Sequence, residues 1–212
     1  MPNVPTLTAL QAEAMNHDYW ASCSDTHLAD GAYYRRVRDL LPLLCDLYLS
    51  PQAQVLDVGC GSGEYTLLIA SRCRHVRAFD LSPKLIEKAR THGAANIDFR
   101  CGDVATLTEH RDCSFDAAFV MGVFVTVHGE RFERAAADLA TLVRPGGVLI
   151  TRDSVTPSED VLRHVTEGYV AHYRSQAHFV GGLCAAGFEL QRTVFLETFK
   201  GLTNSFYVFR RV

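Results

Sequence analysis

Gly59, Gly61 and Gly63 stand at alternate positions directly after Val55-Leu56-Asp57-Val58, an apolar run that holds one carboxylate. An apolar β-branched run reads as a buried strand. Glycines at this density mark a turn where the backbone comes close to something. Tyr65 to Ala70, which follow, are apolar and helix-compatible. Strand, glycine turn and helix form the unit with which open α/β sheets hold nucleotides. Two further acids fall at matching places. Asp80 ends the short run Val76-Arg77-Ala78-Phe79-Asp80, and Gly102-Asp103 follows Asn96 to Cys101.

The turn is selective about its ligand. A dinucleotide fingerprint needs G-x-G-x-x-G, but here the spacing is G-x-G-x-G, and Glu64 stands where the third fingerprint glycine belongs. An acid at a helix N-terminus opposes a pyrophosphate, so NAD is disfavoured. No Gly-Lys-Ser/Thr follows, which removes the phosphate-binding loop of nucleoside triphosphatases.

The elements that must position these residues alternate. Strands are expected at 76–80, 96–101, 114–121 and 148–151. A helix capped by Ser82 with Pro83 at its first position should run to about Thr91, and a second from about Arg131 to Val143. Arg144-Pro145-Gly146-Gly147 predicts a tight turn into the fifth strand. Strands separated by helical runs imply a mostly parallel sheet with helices on both faces. Phe188–Thr198 and Ser205–Arg210 alternate like strands and predict an antiparallel hairpin at the sheet's edge, after a helix capped by Ser175. Upstream, residues 1 to about 16 carry Pro2 and Pro5 and read as a frayed start. Residues 28–49 have helical spacing that Pro42 should kink or split. The expected fold is thus α/β: a doubly wound, mostly parallel sheet with a late antiparallel edge hairpin. Residues 1–50 are a helical cap over the ligand edge, and 51–212 the binding domain, with 153–175 inserted on the substrate side of one structural unit.

Composition bounds the class. The 212 residues are 48% hydrophobic and 21% charged, the balance of a soluble globular protein, and a formal net charge of −3 argues against a protein built to hold nucleic acid through its phosphates, a local basic patch aside. No apolar run approaches a membrane span, and no secretory leader is apparent. The seven cysteines are odd in number and form no C-x-x-C, so reduced thiols in a cytoplasmic protein are expected. The nine histidines show no metal-binding spacing, and no metal is expected.

With these pieces in order, the chain resembles the class I S-adenosylmethionine (SAM)-dependent methyltransferases, whose fold is Rossmann-like. The resemblance covers residues 51–150 best. It rests on Val55-Leu56-Asp57-Val58-Gly59-Cys60-Gly61-Ser62-Gly63, on Asp80, on Gly102-Asp103 and on Arg144-Pro145-Gly146-Gly147. It implies SAM as methyl donor and S-adenosylhomocysteine as product. Gly59, Cys60 and Gly61 would form the cradle for the methionine and ribose portion, and Asp57 would bind the ammonium. Asp80 would accept both ribose hydroxyls and Asp103, after Gly102, the adenine amine. Leu81, Val104 and Met121 would sandwich the ring, and Tyr19 would close the pocket.

Methyl transfer from a sulfonium is an in-line displacement whose main demands are alignment and exclusion of water. A base is needed only for a nucleophile that must lose a proton. His128, Asp153 and Tyr173 are the candidate catalytic residues. Trp20, Tyr33, Tyr169, His172 and Arg174 join them as candidate substrate contacts, with Tyr169 and Tyr173 four apart and so on one face of any helix that forms there. Met121-Gly122-Val123-Phe124 is not the Asn/Asp-Pro-Pro-Tyr/Phe of nucleic-acid amino methyltransferases, and no Pro-Cys occurs. The reading is a small-molecule acceptor with an N or O nucleophile, no nucleic acid or membrane partner, and a monomer or homodimer. The alternatives are a protein, peptide or RNA acceptor, or a non-catalytic SAM-binding regulator.

Overall fold

Strand β1 (Gln54–Val58) sits inside a seven-stranded sheet of order β3-β2-β1-β4-β5-β9-β8. The computed structural model describes residues 8–25, 32–104, 107 and 114–212; residues 28–31 of the expected N-terminal helix and Cys113 lie outside them. On one side of β1 lie β2 (His75–Asp80) and β3 (Ile97–Cys101), and on the other β4 (Phe115–Met121) and β5 (Val143–Val155). All of these pairings are parallel. β8 (Phe188–Phe199) and β9 (Leu202–Arg211) form the expected antiparallel hairpin, with β9 paired to β5 and β8 outermost. The chain leaves β1 in one direction and returns to β4 on its other flank, so the strand order switches there. That switch opens a crevice above the carboxyl ends of the two strands.

Helices cover both faces. α2 (Ala32–Tyr48), α3 (Glu64–Ala70) and α4 (Pro83–Arg90) contribute Val37, Leu41, Leu44, Ile69 and Ile86 to one core, against Val55, Phe119, Ile150 and Phe206. α5 (Arg131–Leu142) and α6 (Gln176–Ala185) place Phe132, Leu139, Phe179 and Leu183 against Leu56, Val120, Leu149 and Tyr207 on the other. Each such large side chain contributes about 1.5–3 kcal/mol by burial.

Several local expectations change. α2 runs through Pro42 as one helix: Leu41, Leu44 and Cys45 are buried around it, and their packing outweighs the lost backbone bond. A helix, α1 (Ala9–Ser22), occupies much of the supposedly frayed start. Its N-terminus is fixed by Thr8, whose side chain accepts from the Gln11 amide while the Gln11 side chain accepts from the Thr8 amide. Arg144 to Gly147 lie inside β5, since Val143 already pairs with Phe115, and Gly146 at φ 76° sits in a register irregularity. The 153–175 insert is not helical. β5 continues to Val155, and β6 (Val161–Thr166) pairs with β7 (Tyr169–Tyr173) in a separate antiparallel hairpin. Tyr169 and Tyr173 still share a face, because residues four apart do so in a strand as well.

Candidate active site

The glycine turn closes onto its neighbour through the backbone. The Gly59 and Cys60 amides both donate to the Phe79 carbonyl, at 2.7 and 2.9 Å, and Gly61 donates 2.8 Å to Asp80 Oδ2. The Ser82 amide donates 2.9 Å to Asp80 Oδ1. Each Asp80 oxygen therefore keeps acceptor capacity for a further hydroxyl. Burial pushes the Asp80 carboxyl above its usual range, and these backbone donors oppose the shift. Gly59 has φ 74°, and a Cβ there would lie 2.1 Å from Val123 Cγ2. Its positive φ and the loop after β4 thus both call for glycine here. Asp57 is fully enclosed: Oδ2 accepts 2.7 Å from the Thr66 hydroxyl and Oδ1 has no hydrogen-bond partner. Burial, offset by Thr66 and reinforced by Asp80, raises its pKa to about 7.

A cavity of about 830 Å³ opens above this turn. Asp57, Gly59, Cys60, Gly61, Asp80, Leu81, Gly102, Asp103, Val104 and Met121 all line it, as do Tyr19, Trp20, Tyr33, Tyr169 and Tyr173. The Gly102 amide donates 2.9 Å to the Asp80 carbonyl, which sets the two acids side by side. Asp103 accepts from Arg131 Nη2 at 3.1 Å on both oxygens, and Arg131 also pairs with Glu13 of α1. That ion-pair chain ties α1, α5 and the loop after β3 around one end of the cavity. The aromatic wall is held by α1: Tyr19 stacks on Tyr169 with centroids 5.5 Å apart, and Trp20 meets the same ring edge-on at 5.1 Å.

Four expected site residues do not face the cavity, and their assignments are corrected. Asp153 is buried on the α5–α6 side of the sheet, because alternation along β5 sends Arg152 and Ser154 to the cavity and Asp153 the other way. Burial raises its pKa to about 7, with Arg152 opposing. His128 is 1% exposed and closed in a knot with Asn16, whose side-chain amide donates to the Thr126 and Val170 carbonyls at 2.9 and 2.8 Å. His128 Nε2 lies 2.8 Å from Asn16 Nδ2 and 2.9 Å from the Val170 carbonyl, and burial lowers its pKa to about 4. It holds the strand β7 to α1 and has no access to a nucleophile. Arg174 donates 2.7 Å bonds to the Phe124 and Val127 carbonyls and lies 4.0 Å over the Phe132 ring. It fixes the loop after β4. His172 turns outward to Asp160 at 3.0 Å, which His178 also contacts at 2.6 Å.

The sequence reading missed Arg152, Tyr65, Glu13, Arg131, Glu197 and Asn204, all of which line the cavity. A charged residue in the β5 run Val148-Leu149-Ile150-Thr151-Arg152 was the available signal for Arg152, but the strand is buried on both faces and its parity was not readable. Among the described residues no group of His, Cys, Asp and Glu gathers to hold a metal, six cysteines are free thiols, and no helix is long and apolar enough to cross a membrane.

A mostly parallel sheet with its switch between β1 and β4, closed by the antiparallel β8–β9 pair and carrying acids at three successive strand ends, is a Rossmann-like arrangement shared with solved methyltransferase structures. Residues 55–147 match the family described as a methyltransferase domain. A ubiquinone biosynthesis O-methyltransferase of Xanthomonas campestris pv. campestris (strain B100) is 34% identical over 125 residues, 57% of this chain and 52% of that protein. The chain spans about half the length of that relative. Among solved structures, the Burkholderia thailandensis 1,6-didemethyltoxoflavin-N1-methyltransferase, with 1,6-didemethyltoxoflavin and S-adenosylhomocysteine bound, has a TM-score of 0.75 at 21% identity, covering 99% of this chain and 93% of that one. The [4+2]-cyclase SpnF reaches 0.73 at 19% identity, covering 98% of each chain. At these identities the likeness is one of fold.

Proposed function

We propose that the protein transfers the methyl group of SAM to a nitrogen or oxygen nucleophile on a small molecule. The observation that carries this reading is the unpartnered Asp57 Oδ1, buried at the wall of a cavity whose same end bears Asp80 and Asp103. A lone buried acceptor is costly unless a donor arrives, and a ligand ammonium supplies one. SAM, when bound, supplies an electrophilic methyl group on sulfur. Asp57 and the Gly59–Gly61 turn hold the amino-acid end, Asp80 the ribose hydroxyls, and Asp103, set by Arg131, the adenine edge between Leu81, Val104 and Met121.

The remaining wall, with Trp20, Tyr33, Tyr65, Tyr169 and Tyr173, aligns a flat acceptor and keeps water out. With His128 and Asp153 turned away, proton removal is not assigned to either. Tyr173, in the hairpin, is the remaining expected catalytic group that faces the cavity, and its role is to position the nucleophile. An amine or a pre-ionised phenol needs no more than this. The 1–50 segment serves as a cap: α1 and α2 both contribute to the cavity wall, and with the β6–β7 hairpin they enclose the acceptor.

Calorimetric titration with S-adenosylhomocysteine tests the reading. The wild type is expected to bind, and Asp80→Ala to weaken binding about tenfold to a hundredfold, the worth of a charge-assisted hydrogen bond. Unchanged affinity in the variant removes Asp80 from the ribose role. Transfer of labelled methyl to a metabolite extract is the accompanying test of activity.

A further inference from the structure

The charges around the cavity are divided. Asp57, Asp80 and Asp103 lie at the glycine-turn end, while Arg152 projects from the end of β5 among Tyr33, Tyr65 and Met121. Of the other basic residues lining the cavity, Arg131 is committed to Glu13 and Asp103, and His17 Nδ1 lies 3.5 Å from Asp18 Oδ1. Arg152 has only neutral partners. Nη1 donates 2.8 Å to the Tyr33 hydroxyl and Nη2 donates 3.0 Å to the Met121 carbonyl, and Nε has no partner. Each terminal nitrogen keeps a second hydrogen. Glu197, across the cavity on β8, makes no ion pair with it among the described residues.

The fold makes room for this guanidinium. Gly122, at φ 82°, lies under it, and a Cβ there would come within 2.4 Å of Arg152 Nη2. The Arg152 guanidinium lies 5.6 Å from the Tyr33 ring centroid, which sets its planar fork beside the aromatic wall. A half-buried arginine whose hydrogen bonds all go to neutral groups, with Asp153 acting on it only from the opposite face of the sheet, favours an anion on its cavity side. A sulfonium in the same cavity adds a second positive charge. An acceptor carrying its own negative charge answers both.

Resting on the methyl-transfer reading above, we propose that Arg152 is a binding residue for the acceptor, and that the acceptor is a small aromatic carboxylate whose acid group sits on the Arg152 fork. The planar guanidinium matches a carboxylate in two-point contact, and the ring stacks among Tyr33, Tyr65 and Tyr173. This assigns to Arg152 the recognition that the sequence had placed on Arg174 and His172.

The test is a binding assay on the full chain saturated with S-adenosylhomocysteine, using a panel of mono- and dihydroxybenzoic acids, each beside its neutral amide. At least one acid is expected to bind about tenfold or more tighter than its amide, and Arg152→Gln to abolish that preference while leaving S-adenosylhomocysteine affinity within about twofold. Arg152→Lys should keep part of it. Absence of any acid preference in the wild type overturns the proposal, and that arm needs no variant. Loss of S-adenosylhomocysteine affinity in Arg152→Gln also overturns it, by placing the guanidinium on the cofactor carboxylate. Failure of the wild type to bind S-adenosylhomocysteine instead overturns the methyl-transfer reading itself.

Discussion

Asp57 shows how one buried side chain makes a site sensitive to acidity. Its pKa of about 7 arises first from burial and stands above its usual 3.8. The sign follows directly. Below about pH 4 the carboxyl is neutral in both folded and unfolded chains. Between the two values the unfolded chain ionises while the fold retains the proton, so stability falls as pH rises, and the loss is complete above about pH 7. Comparing wild type with Asp57→Asn by denaturant unfolding at several pH values should show the wild type losing ground over that window. Ligand binding should run the other way. A cation needs the ionised carboxylate, so affinity for SAM is expected to weaken from about pH 8 to about pH 6 in the wild type and to vary less in Asp57→Asn.

At the scale of elements, the β6–β7 hairpin depends on α1. Asn16 carries that dependence, since its side chain donates to Thr126 and Val170 and accepts 2.8 Å from the Val170 amide. Asn16→Ala strands these buried groups and should cost about 2–4 kcal/mol in chemical denaturation, with faster hydrogen exchange at the Val170 amide. A substitution without effect on either would show that the hairpin is held by contacts other than those of Asn16, the Tyr19–Trp20–Tyr169 rings among them. These contacts mark where sequence reading stops. The strand, glycine turn and helix at 54–70 were legible because turn chemistry and apolar run are neighbours along the chain, and Asp80 because it ends a strand. Asp153 and Arg152 were exchanged in role because a strand covered on both faces carries no alternation to read. α1 was missed because its apolar residues gather on no single stripe, and Asn16 became informative only when β7 was brought beside it. Tyr169 and Tyr173 have a spacing that satisfies helix and strand alike.

For the whole molecule, one fold accommodates more than one kind of chemistry, since a named cyclase shares it as closely as a named N-methyltransferase does. The cavity, joining α1, α2, the central sheet and the hairpin, is therefore the unit to probe. A ligand that bridges these parts stabilises all of them together. S-adenosylhomocysteine at about one hundred times its Kd should add about 2.7 kcal/mol, which for a chain of 212 residues is a Tm rise of about 5–11 °C. Scanning calorimetry checks it, and a shift confined to one of two transitions would show the cap and sheet to be uncoupled. The strand order has a further consequence, for biosynthesis. β9 is inserted between β5 and β8, so during translation β5 waits with a bare edge until residues 202–211 have been made. β8, completed just earlier, has no other neighbour in the sheet. The nascent protein thus carries an open β edge from the completion of β5 at Val155 until β9 is made, and a ribosome stalled before Leu202 would hold a chain primed for chaperone capture or for pairing with another copy.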